Sequence, residues 1–182
     1  MAGTITVGEL LSDPTSNNKI TIGSGTTLDL VSGAGSVSGA GSVLQVVQAI
    51  GSNEYSTSSS NWDTKMTDIN CVIQPSIASN KILLLASTEL EFQYNNTGGS
   101  VDFYRAISGG ASTYNLSGEA NGFTINEGLN RSLVSPIYLD SPNTTSSITY
   151  SISFKYTTAG VGLVHCGGAS RITTLIAMEI KA

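Results

Sequence analysis

Few residues in this chain have types and spacings that could do chemistry. The single histidine, His165, stands next to Cys166, which on paper is a thiol–imidazole pair. Residues 161–166 read as a strand, however, and neighbouring side chains on a strand point to opposite faces, so the two would not meet. No Gly-x-Ser-x-Gly elbow supplies a serine nucleophile either. His165 is expected to be an ordinary strand or interface residue. Glu89 and Glu91 share one face of another strand, roughly 7 Å apart by strand rise, a separation found in glycosidase carboxylate pairs. The chain has 13 acidic residues, so such a spacing arises readily by chance, and the pair is read as a solvated strand face. One histidine and two distant cysteines do not form a zinc set, and no phosphate loop or calcium loop is present. The expectation is no catalytic residue, no metal and no cofactor.

Exposed aromatics are the remaining candidates, because sugar rings stack on them. Trp62 sits in the polar stretch 56–65, and Tyr55 and Tyr114 fall at strand ends or loops. The plainer expectation for Trp62 is packing over one end of the fold; the sharper one is a glycan contact by Trp62, Tyr55 and Tyr114.

Composition narrows the function classes. The 182 residues carry a net charge of −5 with only 12% charged side chains, and the eight Lys and Arg are scattered. Nucleic-acid binding needs a basic stripe, so no nucleic-acid partner is expected. No window approaches the length of an apolar membrane span, so no membrane insertion is expected. The opening Met1-Ala2-Gly3-Thr4-Ile5-Thr6-Val7 has neither a basic nor an apolar leader segment, which gives an expectation of cytoplasmic synthesis, with Cys71 and Cys166 as reduced, buried thiols.

The elements that must position these residues are strands. Gly, Ser, Thr and Asn replace the Ala-Leu-Glu-Lys mixture that fills helices, and long amphipathic helices are excluded on that ground. Residues 1–42 have no aromatics and repeat Gly-Ala-Gly-Ser-Val at 33–37 and 39–43. They are read as an attachment and oligomerisation arm, with the domain proper at 43–182. There the signals repeat with period two. Along 81–94, Ile82, Leu84, Ala86, Thr88, Leu90, Phe92 and Tyr94 line one side; the other begins apolar at Leu83 and Leu85 and turns polar at Ser87, Glu89 and Glu91. Along 147–156, Ile148, Tyr150, Ile152, Phe154 and Tyr156 alternate with Thr149, Ser151, Ser153 and Lys155. Residues 43–50 and 171–181 add two long runs, and shorter ones fall at 66–73, 101–107, 113–116, 132–139 and 161–166. Pro-marked corners at 74–76 and 141–143 and Gly pairs at 98–99, 109–110 and 167–168 separate them. Eight to ten short strands without helices predict an all-β, jelly-roll-like antiparallel β-sandwich. The apolar Leu83/Leu85 face and the run at 43–50, with Val43 and Val47, are the candidate oligomer interface.

Certain blocks resemble a known family. Val43-Leu44-Gln45-Val46-Val47-Gln48, then Cys71-Val72-Ile73-Gln74-Pro75-Ser76 and Asn80-Lys81-Ile82-Leu83-Leu84-Leu85, are similar to the β domain of tail-fibre and related virion proteins of marine and cyanobacterial phages. The ending 169–180 is similar to their closing strand, and 1–7 and 20–25 resemble their attachment regions. The resemblance implies a non-enzymatic, homotrimeric, jelly-roll component of the virion, assembled in the host cytoplasm. Its partners would be copies of itself and capsid or tail proteins. Capsid decoration, as a cement knob, and a short tail fibre are both compatible with so short a chain. The alternative is a receptor-binding, lectin-like fibre tip that recognises host surface polysaccharide.

Overall fold

The computed structural model describes residues 40–92, 98–120, 122–125, 131–157, 162–168 and 171–182. The proposed arm, 1–42, lies outside them except for Ala40, Gly41 and Ser42. Gly41 and Ser42 are already part of the folded unit, since Gly41 N–H donates to Lys181 O at 2.7 Å and Lys181 N–H to Ser42 O at 2.9 Å.

Thirteen strand segments are present among the described residues, and no helix. In chain order they are β1 (Val43–Gly51), β2 (Glu54–Thr57), β3 (Thr64–Lys65), β4 (Cys71–Ile73), β5 (Lys81–Phe92), β6 (Gly99–Ile107), β7 (Ser112–Thr113), β8 (Phe123–Ile125), β9 (Arg131–Val134), β10 (Ile137–Asp140), β11 (Ile148–Tyr156), β12 (Val164–Gly167) and β13 (Thr173–Ile180). Several are successive pieces of one lane. In the first sheet β13 and β12 pair along one edge of β5, and β10 and β9 pair along its other edge; β1 then flanks β13, and β2 flanks β12. In the second, β4 and β3 flank β11, β11 pairs β6, and β7 and β8 flank β6. Each sheet is thus four lanes wide and every pairing is antiparallel. Consecutive lanes repeatedly cross from one sheet to the other, which is the eight-lane path of a jelly roll. The all-β sandwich expected from the sequence is the fold found.

The core is the meeting of the two inner faces. Ile82, Leu84, Leu90, Val164 and Leu175 from the first sheet, and Phe103, Ile148, Tyr150, Ile152, Phe154 and Tyr156 from the second, are buried. Each of these large side chains stabilises the fold by roughly 1.5–3 kcal/mol relative to exposure. The period-two reading of β5 and β11 therefore placed the inward residues correctly.

Two lanes depart from the expected pattern. β2 and β8 carried no strand signal because they are only four and three residues long; they pair with β12 and β6. The run at 132–139 is two strands, broken where Pro136 lacks a backbone donor; its carbonyl accepts instead from Ala86 N–H at 3.0 Å.

Candidate functional site

The second sheet hides its outer side. Ser100, Asp102, Ser151 and Ser153 point away from the core yet are buried: residues 114–120 cross over Asp102 and Ser153 as a strap, the Ser100 hydroxyl pairs with that of Thr124 in β8, and the Ser151 hydroxyl donates to Met66 O. Asp102 anchors it: Oδ1 accepts from Ser117 N–H at 3.2 Å and Oδ2 accepts from the Ser117 hydroxyl. Ser153 hydroxyl donates to Tyr114 O. Lys155 Nζ donates to Ala120 O at 2.7 Å. Burial pushes the Asp102 carboxyl above its usual range, opposed by the donors from Ser117 and Phe103. The sequence pattern marked Ser151 and Ser153 as the polar face; their partners, Met66 O and Tyr114 O, come from elsewhere in the chain and leave no local trace.

Trp62 packs against the end of this strap. Its Nε1–H donates to Ala120 O at 3.3 Å, Lys155 Nζ lies 5.0 Å from its ring centroid, and its ring rests on Gly122. Tyr114 packs edge-on against Tyr104, with centroids 4.8 Å apart. Tyr55 sits in the first sheet, packed against the core, with its hydroxyl 3.0 Å from Thr67 Oγ1 and accepting from Asp68 N–H. The three aromatics singled out as glycan contacts thus have three separate sets of partners. Trp62 is half-buried against Ala120, Gly122 and Lys155 on the outer side of the second sheet.

Several charged residues pair with one another on the first sheet. Arg171 Nε is 3.1 Å from Glu89 Oε1 and its Nη1 is 2.9 Å from Glu91 Oε2; Arg131 Nη2 holds the other Glu91 oxygen at 2.9 Å. Hydrogen bonds from Arg171 and then Arg131 lower the Glu91 carboxyl. Glu91, held as a carboxylate by two arginines, is not the raised-pKa acid that glycoside cleavage needs. His165 Nδ1 lies 2.9 Å from Glu54 Oε1 on the outer side of β12, while Cys166 is buried on the inner side. They do not meet, as strand alternation requires. Among the described residues no three His, Cys, Asp or Glu gather as a metal site.

The outer side of the first sheet is different. In register across four lanes run Val46, Met178, Leu83 and Leu139, and beside them Gln48, Ile176, Leu85 and Ile137. Val43, Leu44, Ile50 and Leu133 extend the same apolar surface, all exposed. Leu83 and Leu85, expected at an interface, lie in the middle of it, and Val43 at one end. Val47 does not: its position in β1 turns it inward, against the core. The sequence run at 43–50 was apolar on both sides, so only the pairing of β1 with β13 could tell which side faces out. Ile137 and Leu139 were not singled out, although their alternation with Tyr138 and Asp140 carried the signal.

No protein-family model and no curated protein sequence matches the chain. Among solved structures, the chain is similar to the VP2 protein of infectious bursal disease virus in derived T=1 particles, at 14% identity and a TM-score of 0.40, over 76% of this chain and 36% of that one. It is similar to the structure of the Gx strain of the same virus at 15% identity and a TM-score of 0.39, with 76% and 36% covered. A VP2 subviral particle of that virus gives 13% identity, a TM-score of 0.37, and 76% and 38% covered. This chain therefore spans a little over a third of the length of the chains it is matched to.

Proposed function

We propose that this chain is a non-enzymatic structural protein of a bacteriophage particle, a homotrimeric surface knob attached through its N-terminal arm. The observation that carries the reading is the contrast between the two outer sides of the sandwich. One is partly covered by the chain's own residues 114–120, and the other carries an apolar row from edge lane to edge lane, Val46, Met178, Leu83 and Leu139. A subunit that works by being built into an assembly needs such a face. The charged and titratable groups of the described part serve to fix strands and corners. The likeness of the blocks at 43–48, 71–76 and 80–85 to phage virion proteins supports the phage assignment. A lectin-like tip would need Trp62, Tyr55 and Tyr114 on one platform, and their separate partners favour the structural reading. The test is mass spectrometry of purified virions with quantified copy number. A count matching the capsid lattice assigns decoration, and a count matching the fibres assigns the tail. Absence of the chain from virions overturns the proposal.

A further inference from the structure

We infer that Asp102, Ser117 and Asn115 form a proton-operated latch, which fastens the strap 114–120 to the second sheet more tightly when the Asp102 carboxyl takes up a proton from solvent.

The first support is the isolation of the Asp102 charge. Its side chain is buried on the outer side of β6, and the donors that meet it are neutral: Phe103 N–H at 2.5 Å, Ser117 N–H at 3.2 Å and the Ser117 hydroxyl. The charged and titratable side chains on that side have other engagements. Lys65 of β3 lies 4.0 Å from the Tyr104 ring centroid, and Tyr104 of β6 packs on Tyr114 of the strap. Lys155 of β11 donates to Ala120 O and lies over Trp62. Asp63, in the loop before β3, accepts from Ser59 and Thr64, and Glu119 is exposed near the end of the strap. β7 and β8 contribute no titratable side chain. Among the described residues none of these groups forms an ion pair with Asp102. A buried carboxylate without a cation is destabilised in its charged form.

The second support is a hydroxyl with an acceptor on either side. Ser117 Oγ touches Asp102 Oδ2 and lies 3.4 Å from Asn115 Oδ1. The Asn115 amide is oriented by its Nδ2, which donates to Glu119 O at 2.9 Å and leaves Oδ1 as the acceptor on the serine side. With Asp102 ionised, the Ser117 hydroxyl donates to Oδ2. With Oδ2 protonated, the carboxyl donates to Ser117 Oγ and the serine hydroxyl turns to Asn115 Oδ1. Phe103 N–H and Ser117 N–H stay on Oδ1 in both states. The closed strap is thus hydrogen-bonded either way, and the proton removes only the buried charge.

The direction of the pH dependence follows. Lifting the strap puts Asp102 in water, where it binds a proton as an ordinary carboxyl, whereas burial raises the closed form above that. The closed form therefore gains on the open one as pH falls through the raised value, and the gain ends near the ordinary value of about 3.9.

The experiment is amide hydrogen exchange of the full chain by NMR from about pH 7.5 to about pH 4, corrected for the intrinsic pH dependence of exchange. The Ser117 and Leu116 amides report the strap, and the amides of β5 report opening of the whole fold. Relative to β5, strap protection should rise with acid by up to about tenfold per pH unit. Asp102→Asn mimics the neutral acid, its Nδ2 donating to Ser117 Oγ; its strap protection should be flat with pH and at neutral pH match the acid wild type. Asn115→Ala removes the second acceptor and should shrink the acid gain, whereas Glu119→Gln should leave it intact. Should Asp102→Asn fail to fold by circular dichroism, the wild-type profile and the other two variants decide. Strap protection in the wild type that is constant or falls in acid overturns the latch. So does a folded Asp102→Asn chain that keeps the wild-type slope, or a Glu119→Gln chain that loses it. An undiminished gain in Asn115→Ala overturns the hydroxyl turn.

Discussion

Arg105 and Asp140 join the two sheets through one forked contact. Arg105 Nη1, from β6, lies 2.8 and 2.9 Å from the two carboxylate oxygens of Asp140, at the end of β10 in the opposite sheet. Tyr150 on β11 donates its hydroxyl to the same carboxylate at 2.6 Å. Burial, and then the Asp140 carboxylate, raise the Tyr150 hydroxyl far above its ordinary range, so it stays a donor. A polar clamp of this kind fixes the spacing and register of two sheets that apolar packing alone would leave free to slide.

Removing one member of the clamp should cost more than removing all of it. Asp140→Ala leaves a mostly buried guanidinium and a buried hydroxyl without their acceptor, and should destabilise the fold by about 3 kcal/mol. Replacing the set with Arg105→Met, Asp140→Leu and Tyr150→Phe should recover most of that loss. Urea unfolding of both variants measures it. Equal losses would show that the clamp acts through packing and not through charge.

How far the sequence revealed this architecture depended on the range of each interaction. β5 and β11 alternate over nine or more residues, so their inward faces could be read directly, and the outward Leu83 and Leu85 with them. Arg105 and Asp140 are 35 residues apart, and Arg171 is 80 from Glu91; neither pairing leaves a local pattern. Hence Glu89 and Glu91 could be seen as a close pair, while the arginines that neutralise them could not. The burial of Ser151 and Ser153 was hidden for the same reason, since their hydroxyls donate to Met66 O and Tyr114 O, 85 and 39 residues away. β2 and β8, at four and three residues, are too short to announce themselves, and are strands through their pairing with β12 and β6.

Acid should loosen the corner at 74–80. Glu179 is buried at the end of β13 and accepts from Ser76 N–H at 2.7 Å, Asn80 Nδ2 at 2.6 Å and Gln45 Nε2 at 2.6 Å. Burial alone would raise its carboxyl, but these donors outweigh it and hold the carboxyl below its usual value. The unfolded chain then binds the proton more tightly, so the stabilisation is complete above the unfolded pKa of about 4.3 and is lost as pH falls through the lower folded value. Glu179→Gln should therefore be costly at pH 7 and progressively less so towards pH 3, as read by urea unfolding across that range. A cost independent of pH would remove Glu179 as the source.

The two thiols should be inert in the native protein. Burial pushes Cys71 up to about 11 and Cys166 up to about 12, so the reactive thiolate is nearly absent at neutral pH. Cys71 lies against the carbonyls of Val47 and Leu175, whereas Cys166 lies against Thr88 and Met66. Iodoacetamide at pH 8 should label neither until urea is added, and then both. Fast labelling of the folded chain at either site would contradict the burial.

Two glycines should respond very differently to the same methyl group. Gly109 has φ +74° with open space around it, so Gly109→Ala pays only the left-handed strain of about 1 kcal/mol. Gly122 has φ +52°, and a Cβ there would stand 2.7 Å from Val101 O and 2.9 Å from the Trp62 ring. Gly122→Ala should cost about 2–3 kcal/mol or more and displace the strap. Trp62 is the chain's single tryptophan, so its fluorescence reports the displacement directly. An unchanged spectrum in Gly122→Ala would separate Trp62 from the strap.

Removing the arm should separate attachment from folding. Residues 1–39 contain no aromatic side chain, and ordering each residue costs roughly 1–2 kcal/mol of backbone entropy, so contacts with a particle are the natural source of compensation. The cut belongs before Ala40, because Gly41 and Ser42 already pair with Lys181 and extend the β1–β13 ladder. The remaining residues, 40–182, retain both sheets, the Arg105–Asp140 clamp, the Glu179 corner and the whole apolar face. The shortened chain should therefore unfold cooperatively at a temperature close to that of the full chain and keep the full chain's oligomeric state. It should no longer bind virions that lack the protein, whereas the full chain restores them to full occupancy. Binding of the shortened chain at full occupancy would move the anchor into the β domain. A shortened chain that fails to fold would make the first 39 residues part of the core and move the domain boundary towards the N-terminus.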